Sequence, residues 1–463
     1  MIPMKASKIA EVIGGELHGS DVEVSQRAFL SSGQCVAGSI FLAIKGEKAD
    51  GHDFATDAFS HGAVLAITSK PIAERCIVVS DVTVAISILA SYLRSQLEGL
   101  TVIGITGSQG KTTTKELLAA ILSSSASTVS PQGNNNNELG VPITLLQCTA
   151  ETKYCIVEMG ARHQGDIAAL AAIAKPNIGV VLKVAAAHLG EFGSLEIIAK
   201  TKSEMISSLS PEGIAILGQY DPMTSAMSAL HSGRTLTFGE TTSSAIRATD
   251  IEIREGRPHF DLVTPEGRSS VALRQYGTHQ IANALAAAAV AHALGFSTDH
   301  IAGALSTAEV HARWRMEVIN LDDLVIINDA YNASPDSMAA ALKTLAHLSQ
   351  ERGGESWAFL GNMRELGESS AHAHAEIGTL ASSLGIDHLV TVVASDYASG
   401  IPAGAEIALH ICRDKEEALT YIQYLNRGDV ILCKASRSDG LEEVAEKIES
   451  AWMAKMRDEG VEE

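Results

Sequence analysis

One loop in the chain has the residue types for phosphate chemistry: Gly107, Ser108, Gln109, Gly110, Lys111, Thr112 and Thr113, directly after Thr106. The backbone N–H groups of such a turn, backed by a helix N-terminus, can cradle phosphates. Lys111 would then reach the β- and γ-phosphates, and the Thr112 hydroxyl would meet Mg²⁺. The strict GxxxxGK[ST] pattern is not met, because Ile105 stands where its first glycine belongs. The shorter GxxGKT therefore depends on its context. Residues 102–106 read as a buried strand, and Lys111 onward, with Leu117, Leu118, Ile121 and Leu122, reads as a helix. That context points to bound ATP–Mg²⁺.

Three further residues fit a metal-assisted phosphate site. Glu158 ends a strand at 154–157, where a carboxylate can hold the nucleotide's Mg²⁺. His188 follows a strand at 177–184 on the same sheet edge; it is either a structural histidine or a second metal ligand. Lys202 falls on the apolar stripe formed by Leu195, Ile198, Met205 and Leu209, whereas Lys200 points elsewhere. A free ammonium on an inward face is costly. It snorkels, pairs with Glu204, contacts phosphate, or is converted to a metal-binding carbamate. Side-chain physics leaves these readings open.

A second group lies further along. His279 and Asn283 are four apart on an Ala-rich helix, so they can hold a base or cap and pack. Arg313 and Arg315 flank Trp314, and either could meet the γ-phosphate or form a solvated turn. Asp329 ends a strand at 324–328, a place suited to ribose hydroxyls. Lys434, Ser436 and Arg437 follow the strand 429–433 and suit a carboxylate-bearing substrate.

These residues need elements to position them. At 463 residues the chain is too long for one core. Three segments separate, all α/β. Residues 1–98 hold short strands and a closing helix near 84–98. Residues 99–310 alternate strand and helix, as in a parallel P-loop-type sheet with flanking helices. Residues 311–463 repeat that pattern in a smaller, Rossmann-like domain, with strands at 324–328, 356–360, 388–393 and 429–433. Lys+Arg 35 against Asp+Glu 55 gives a net charge of −20, which argues against non-specific nucleic-acid binding. The six cysteines form no CxxC pair and read as buried, reduced thiols. With no signal peptide and no membrane-length apolar run, the expectation is a soluble, cytoplasmic monomer.

In order and spacing, several stretches together resemble the Mur ligases, the ATP-dependent enzymes that build the peptidoglycan stem peptide. They are TGSQGKTTTKE at 106–116, NNNNELGVP at 134–142, EMGA at 158–161, AAAHLGEFGS at 185–194 and AKTKSE at 199–204. HQIANALAAAAVA at 279–291, NDAYNASPDSM at 328–338, GNMRELGE at 361–368 and KASRS at 434–438 complete the set. The resemblance covers nearly the whole chain and implies roles at the matching positions. Lys111 and Thr112 hold phosphates and metal, and Glu158 and His188 hold two Mg²⁺ ions. Lys202 matches the family's carbamylated lysine. Asn283, Asp329 and Asn332 contact the nucleoside, and Arg315 bridges to ATP. Asn135, Asn136, Lys434, Ser436 and Arg437 fall on the substrate side. The implied partners are UDP-N-acetylmuramoyl-tripeptide, held by the first segment, and D-Ala-D-Ala, seated by the third. The implied reaction forms an amide bond through an acyl phosphate.

The chain departs from the family pattern twice. Ser31-Ser32-Gly33 replaces the usual Asp-[Ser/Thr]-Arg, so both acid and arginine are missing at the expected uridine-diphosphate contact. Lys183 stands where Asn is usual; a cation there repels metal unless it points away, or it replaces a water-mediated phosphate contact. The rival readings are a ligase of the same fold adding a diamino acid or glutamate, and a non-catalytic ATP-binding relative. The absence of a DNPR-type stretch, with EMGA and GNMRELGE present, argues against the first. Retention of Lys111, Glu158, His188 and Lys202 argues against the second.

Overall fold

The computed structural model describes residues 1–46, 49–131, 133, 135–186, 189–310 and 312–458. Among them lie three large sheets of five, nine and six strands. The five-stranded sheet runs Glu16–His18, Cys76–Val78, Ala63–Thr68, Ser39–Leu42, Ala28–Phe29, and it is parallel except at the first pair. The central sheet places Thr101–Thr106 between Tyr154–Glu158 and Ile178–Val181, all parallel. The third sheet is parallel apart from its edge strand Glu317–Asn320.

The helix before the central sheet is Val82–Gln96, capped by the Asp81 carboxylate, which accepts from the N–H of Thr83 and Val84. It starts two residues earlier than its apolar pattern suggests, because the cap sets the first turn. The strand expected at 177–184 is shorter, Ile178–Val181. At one end the Asn177 side chain accepts from Val102 N, and at the other the Asp221 carboxylate captures Val184 N. Side-chain acceptors take up Val102 N and Val184 N there, beside backbone bonds from Asn177 N to Val102 O and from Leu182 N to Thr106 O. The central sheet is also not purely parallel: Ile246–Arg254, Arg257–Thr264 and Gly267–Ala272 extend it as an antiparallel meander. The edge strand Ala408–Cys412 of the third sheet was likewise absent from the strands expected there.

Close packing brings Lys202 to the phosphate loop. Gly104 and Gly179 are paired across adjacent strands. A Cβ on Gly104 would lie 2.9 Å from Met205, and one on Gly179 would lie 3.0 Å from it. The missing side chains let the helix Leu195–Ser207 settle onto the sheet through Met205. Lys202, one turn earlier, is carried inward and is 5% exposed.

Candidate active site

Thr101–Thr106 ends in the turn 107–110, and the helix Lys111–Ser123 begins at once. Gly110 is left-handed, with φ +82°, and a Cβ there would lie 2.1 Å from Asn283 Oδ1. Only glycine fits that approach. The turn is tied to the strand end beside it. Ser108 N donates to Lys183 O (3.0 Å), and the Ser108 hydroxyl bonds Ala185 O (3.0 Å) and Ala185 N (2.9 Å). Lys111 Nζ donates back to Gly107 O at 2.9 Å, closing its side chain over the turn.

Glu158 is 1% exposed and joins two of the expected residues. Its Oε2 accepts from Thr112 Oγ1 and its Oε1 from Asn136 Nδ2, both at 2.9 Å. Asn135 lines the same cavity, as do Gln109 and Thr113. Burial lowers the Lys111 pKa, opposed by Glu158 and reinforced by the Arg315 charge. Burial, with the nearby Lys111 ammonium, brings Lys202 down from 10.5 to about 7. Glu204 is not its partner, since that carboxylate accepts from Gly165 N and Ala168 N. His188 lies outside the described residues.

The third segment closes the cavity, whose volume is about 830 Å³. Arg315 lines it, with its guanidinium 3.9 Å from the Tyr331 ring centroid; Arg313 is exposed outside it. Asn332 and Asp329 line it as well. Several expected contact groups are already engaged within the protein. Asp329 pairs with Lys434 at 2.5 Å and accepts from Met316 N at 3.0 Å. Lys434, 1% exposed, also donates to Asn332 O. Ser436 Oγ accepts from Arg364 N, while Arg437 pairs with Glu442 and lies over the Trp314 ring. Asn283 donates to Gln280 and packs under Gly110. A buried cation needs a partner, and Asp329 supplies one. Lys434 therefore organises the Asp329–Asn332 turn in this structure, whereas its strand-end position had suggested a direct substrate contact.

Sequence reasoning passed over Lys115, which is 1% exposed and donates to Pro131 O (2.8 Å) and Gly133 O (2.6 Å). This bond steadies the segment leading to Asn135 and Asn136. Its signal was a second lysine on the inward face of the phosphate-loop helix. Arg162 and His163 also line the cavity, just beyond the strand that ends at Glu158. In the first segment the Ser31-Ser32-Gly33 stretch forms a short turn with Ser31 and Gly33 exposed. In the same segment Asp50 binds His52 Nδ1 (2.5 Å) and Lys70 (3.1 Å), which hold its carboxyl well below the usual range. Glu47 and Lys48 lie outside the described residues.

Family models match most of the chain. "Mur ligase family, catalytic domain" matches residues 29–154, "Mur ligase middle domain" residues 105–291, and "Mur ligase, glutamate ligase domain" residues 314–437. The UDP-N-acetylmuramoyl-tripeptide–D-alanyl-D-alanine ligase of Mycobacterium bovis is 38% identical over 97% of this chain and 98% of its own length. The chain belongs to the Mur ligase family. The Escherichia coli ligase of the same name is 35% identical over 97% and 99%. Among solved structures, a MurF from Acinetobacter baumannii superposes with a TM-score of 0.86 at 35% identity, covering 96% of this chain and 98% of that one. A Thermotoga maritima MurF in complex with ADP gives 0.80 at 30% identity, covering 93% and 99%. Like these relatives, this Mur ligase has the three-sheet α/β fold and is an ATP-dependent ligase.

Proposed function

We propose that this Mur ligase joins D-alanyl-D-alanine to UDP-N-acetylmuramoyl-tripeptide at the expense of ATP, a step in making the peptidoglycan precursor. One observation carries the reading. The phosphate loop, the Thr112–Glu158 pair, Lys202, which pairs with no described residue, and the Asp329–Asn332 turn all line one cavity. The names of relatives matching almost end to end support the choice of substrates. In this reading residues 1–98 hold the UDP end, 99–310 hold ATP, and 311–463 seat the dipeptide.

Mg²⁺ suits the donors present, since Thr112 and Glu158 offer hard oxygen ligands. Lys202 suits carbamylation: it makes no hydrogen bond or ion pair to a described residue, and its amine is neutral above about pH 7. The amine nitrogen would form a bond to the carbon of CO₂ and release a proton to water, leaving an anion on the inward face. Bound Mg²⁺ would neutralise phosphate charge as it develops.

The chain's own groups do the rest. The tripeptide carboxylate attacks the γ-phosphorus and ADP leaves, giving an acyl phosphate. The dipeptide amine then attacks that carbonyl, and inorganic phosphate leaves. Lys111, released from Gly107 O, stabilises negative charge in the first step. The third segment, closed over the cavity, keeps water from the acyl phosphate. The test is phosphate release from ATP by the purified protein. It should require both UDP-N-acetylmuramoyl-tripeptide and D-Ala-D-Ala. Equal release without the dipeptide would sink the assignment.

A further inference from the structure

Lys183 departs from the family pattern, and its side chain does not line the cavity. Its ammonium instead crosses to the third segment and pairs with Asp336 Oδ2 at 2.7 Å. Asp336 sits in the first turn of the helix Pro335–Arg352, where an acid also favours the helix N-terminus. A second bridge lands on the same turn: Gln109 of the phosphate loop donates to Ser334 Oγ at 2.9 Å. Ser334 is the N-cap of that helix, locked by reciprocal bonds with Ser337. The backbone of Lys183 is fixed on both sides. Its carbonyl accepts from Ser108 N, and the next N–H donates to Asp221. One residue therefore supports the phosphate loop with its carbonyl and reaches the third segment with its amine.

We infer that Lys183 and Asp336 form an interdomain clasp, with Gln109–Ser334 beside it, that seats the 329–334 turn over the phosphate loop. Lys183 is thus a positioning residue for the ligation and not a phosphate ligand. The inference rests on the proposed function only for its kinetic readout. Both partners are partly exposed, at 32% and 44%, so the clasp is salt-sensitive and shifts the closed population modestly.

The first measurement needs no substrate: single-molecule energy transfer between dyes on the central and third segments. Lys183→Met and Asp336→Asn should each lower the closed-to-open ratio by about two- to fivefold. The reversed pair, Lys183→Asp with Asp336→Lys, should recover it. Raising salt to about 1 M should open the wild type and leave the single variants unchanged. In turnover, KM for the dipeptide should rise severalfold in both single variants while ADP–Mg²⁺ affinity is kept. The clasp is overturned if the reversed pair stays open, or if neither single variant changes the energy transfer. It is also overturned if Lys183→Met alone weakens ADP binding about tenfold, since that marks a phosphate contact. Absence of turnover with these substrates would count against the proposed function, while the energy-transfer arm would still report on the clasp.

Discussion

Lys202 is a lysine in a place that water would normally forbid. It is almost fully buried, lines the cavity, and feels the Lys111 ammonium. Burial and that neighbour leave it neutral above about pH 7, the form that reacts with CO₂. A ¹³C-bicarbonate experiment should therefore show a carbamate resonance at about pH 8.5 that fades toward pH 6 and is absent in Lys202→Ala. Activity should fall in Lys202→Ala by about 100-fold or more and be partly kept in Lys202→Glu, which restores an anion. The same shift has a stability consequence in the unmodified protein. Between about pH 7 and 10.5 the unfolded chain holds a proton at this lysine that the folded chain does not, so unfolding free energy rises with pH across that window. Denaturant titrations of wild type and Lys202→Met, made free of CO₂, should diverge in slope there.

At the scale of elements, the phosphate-loop helix serves the site along one inward face, since Lys111, Thr112 and Lys115 fall within about 100° of one another. Lys111 and Thr112 face the cavity, while Lys115 anchors the loop behind it through two carbonyls. Lys115→Met should cost about 1–3 kcal/mol, because the buried Pro131 O loses its donor, while the exposed Gly133 O can turn to water. It should also weaken the Asn136–Glu158 contact and so raise the ADP–Mg²⁺ dissociation constant. Thermal unfolding and calorimetric titration would check the two effects separately. A variant with unchanged stability would mean that water replaces the ammonium. The loop–helix junction was legible in the sequence because strand, glycines and apolar helix face are local signals. The Lys115 anchor was not, because its acceptors lie sixteen and eighteen residues away on an irregular segment.

For the whole molecule, packing divides the chain unevenly. One apolar core runs from Met1 through the helix Val82–Gln96 and on to Met227, joining the first segment to one face of the central sheet. The third sheet has its own cores on its two faces. Differential scanning calorimetry should accordingly show two transitions, one for the first two segments together and one for the third. A single transition with equal calorimetric and van't Hoff enthalpies would contradict this division. Among the described residues no helix is long and apolar enough to cross a membrane, and all six cysteines are buried and unpaired.

By itself the sequence determined the phosphate loop, the strand-end carboxylate and the inward lysine, since each is written in a spacing of a few residues: glycines before Lys111, Glu158 closing an apolar strand, and Lys202 on a three- and four-spaced stripe. It also carried the family, through the order of its motifs. Only the tertiary structure decided which polar groups are already spent on one another. Asp329 read as a ribose contact and Lys434 as a substrate contact, yet they pair with each other across 105 residues of chain. Side-chain type alone left Arg313 and Arg315 equivalent and the family resemblance favoured Arg315, which lies over the Tyr331 ring and lines the cavity. Lys183 read as a cation that repels metal unless it points away, or as a phosphate contact, and its ammonium pairs instead with Asp336. A side chain's partner is set by the folding of distant segments onto one another, and local periodicity carries no information about that pairing.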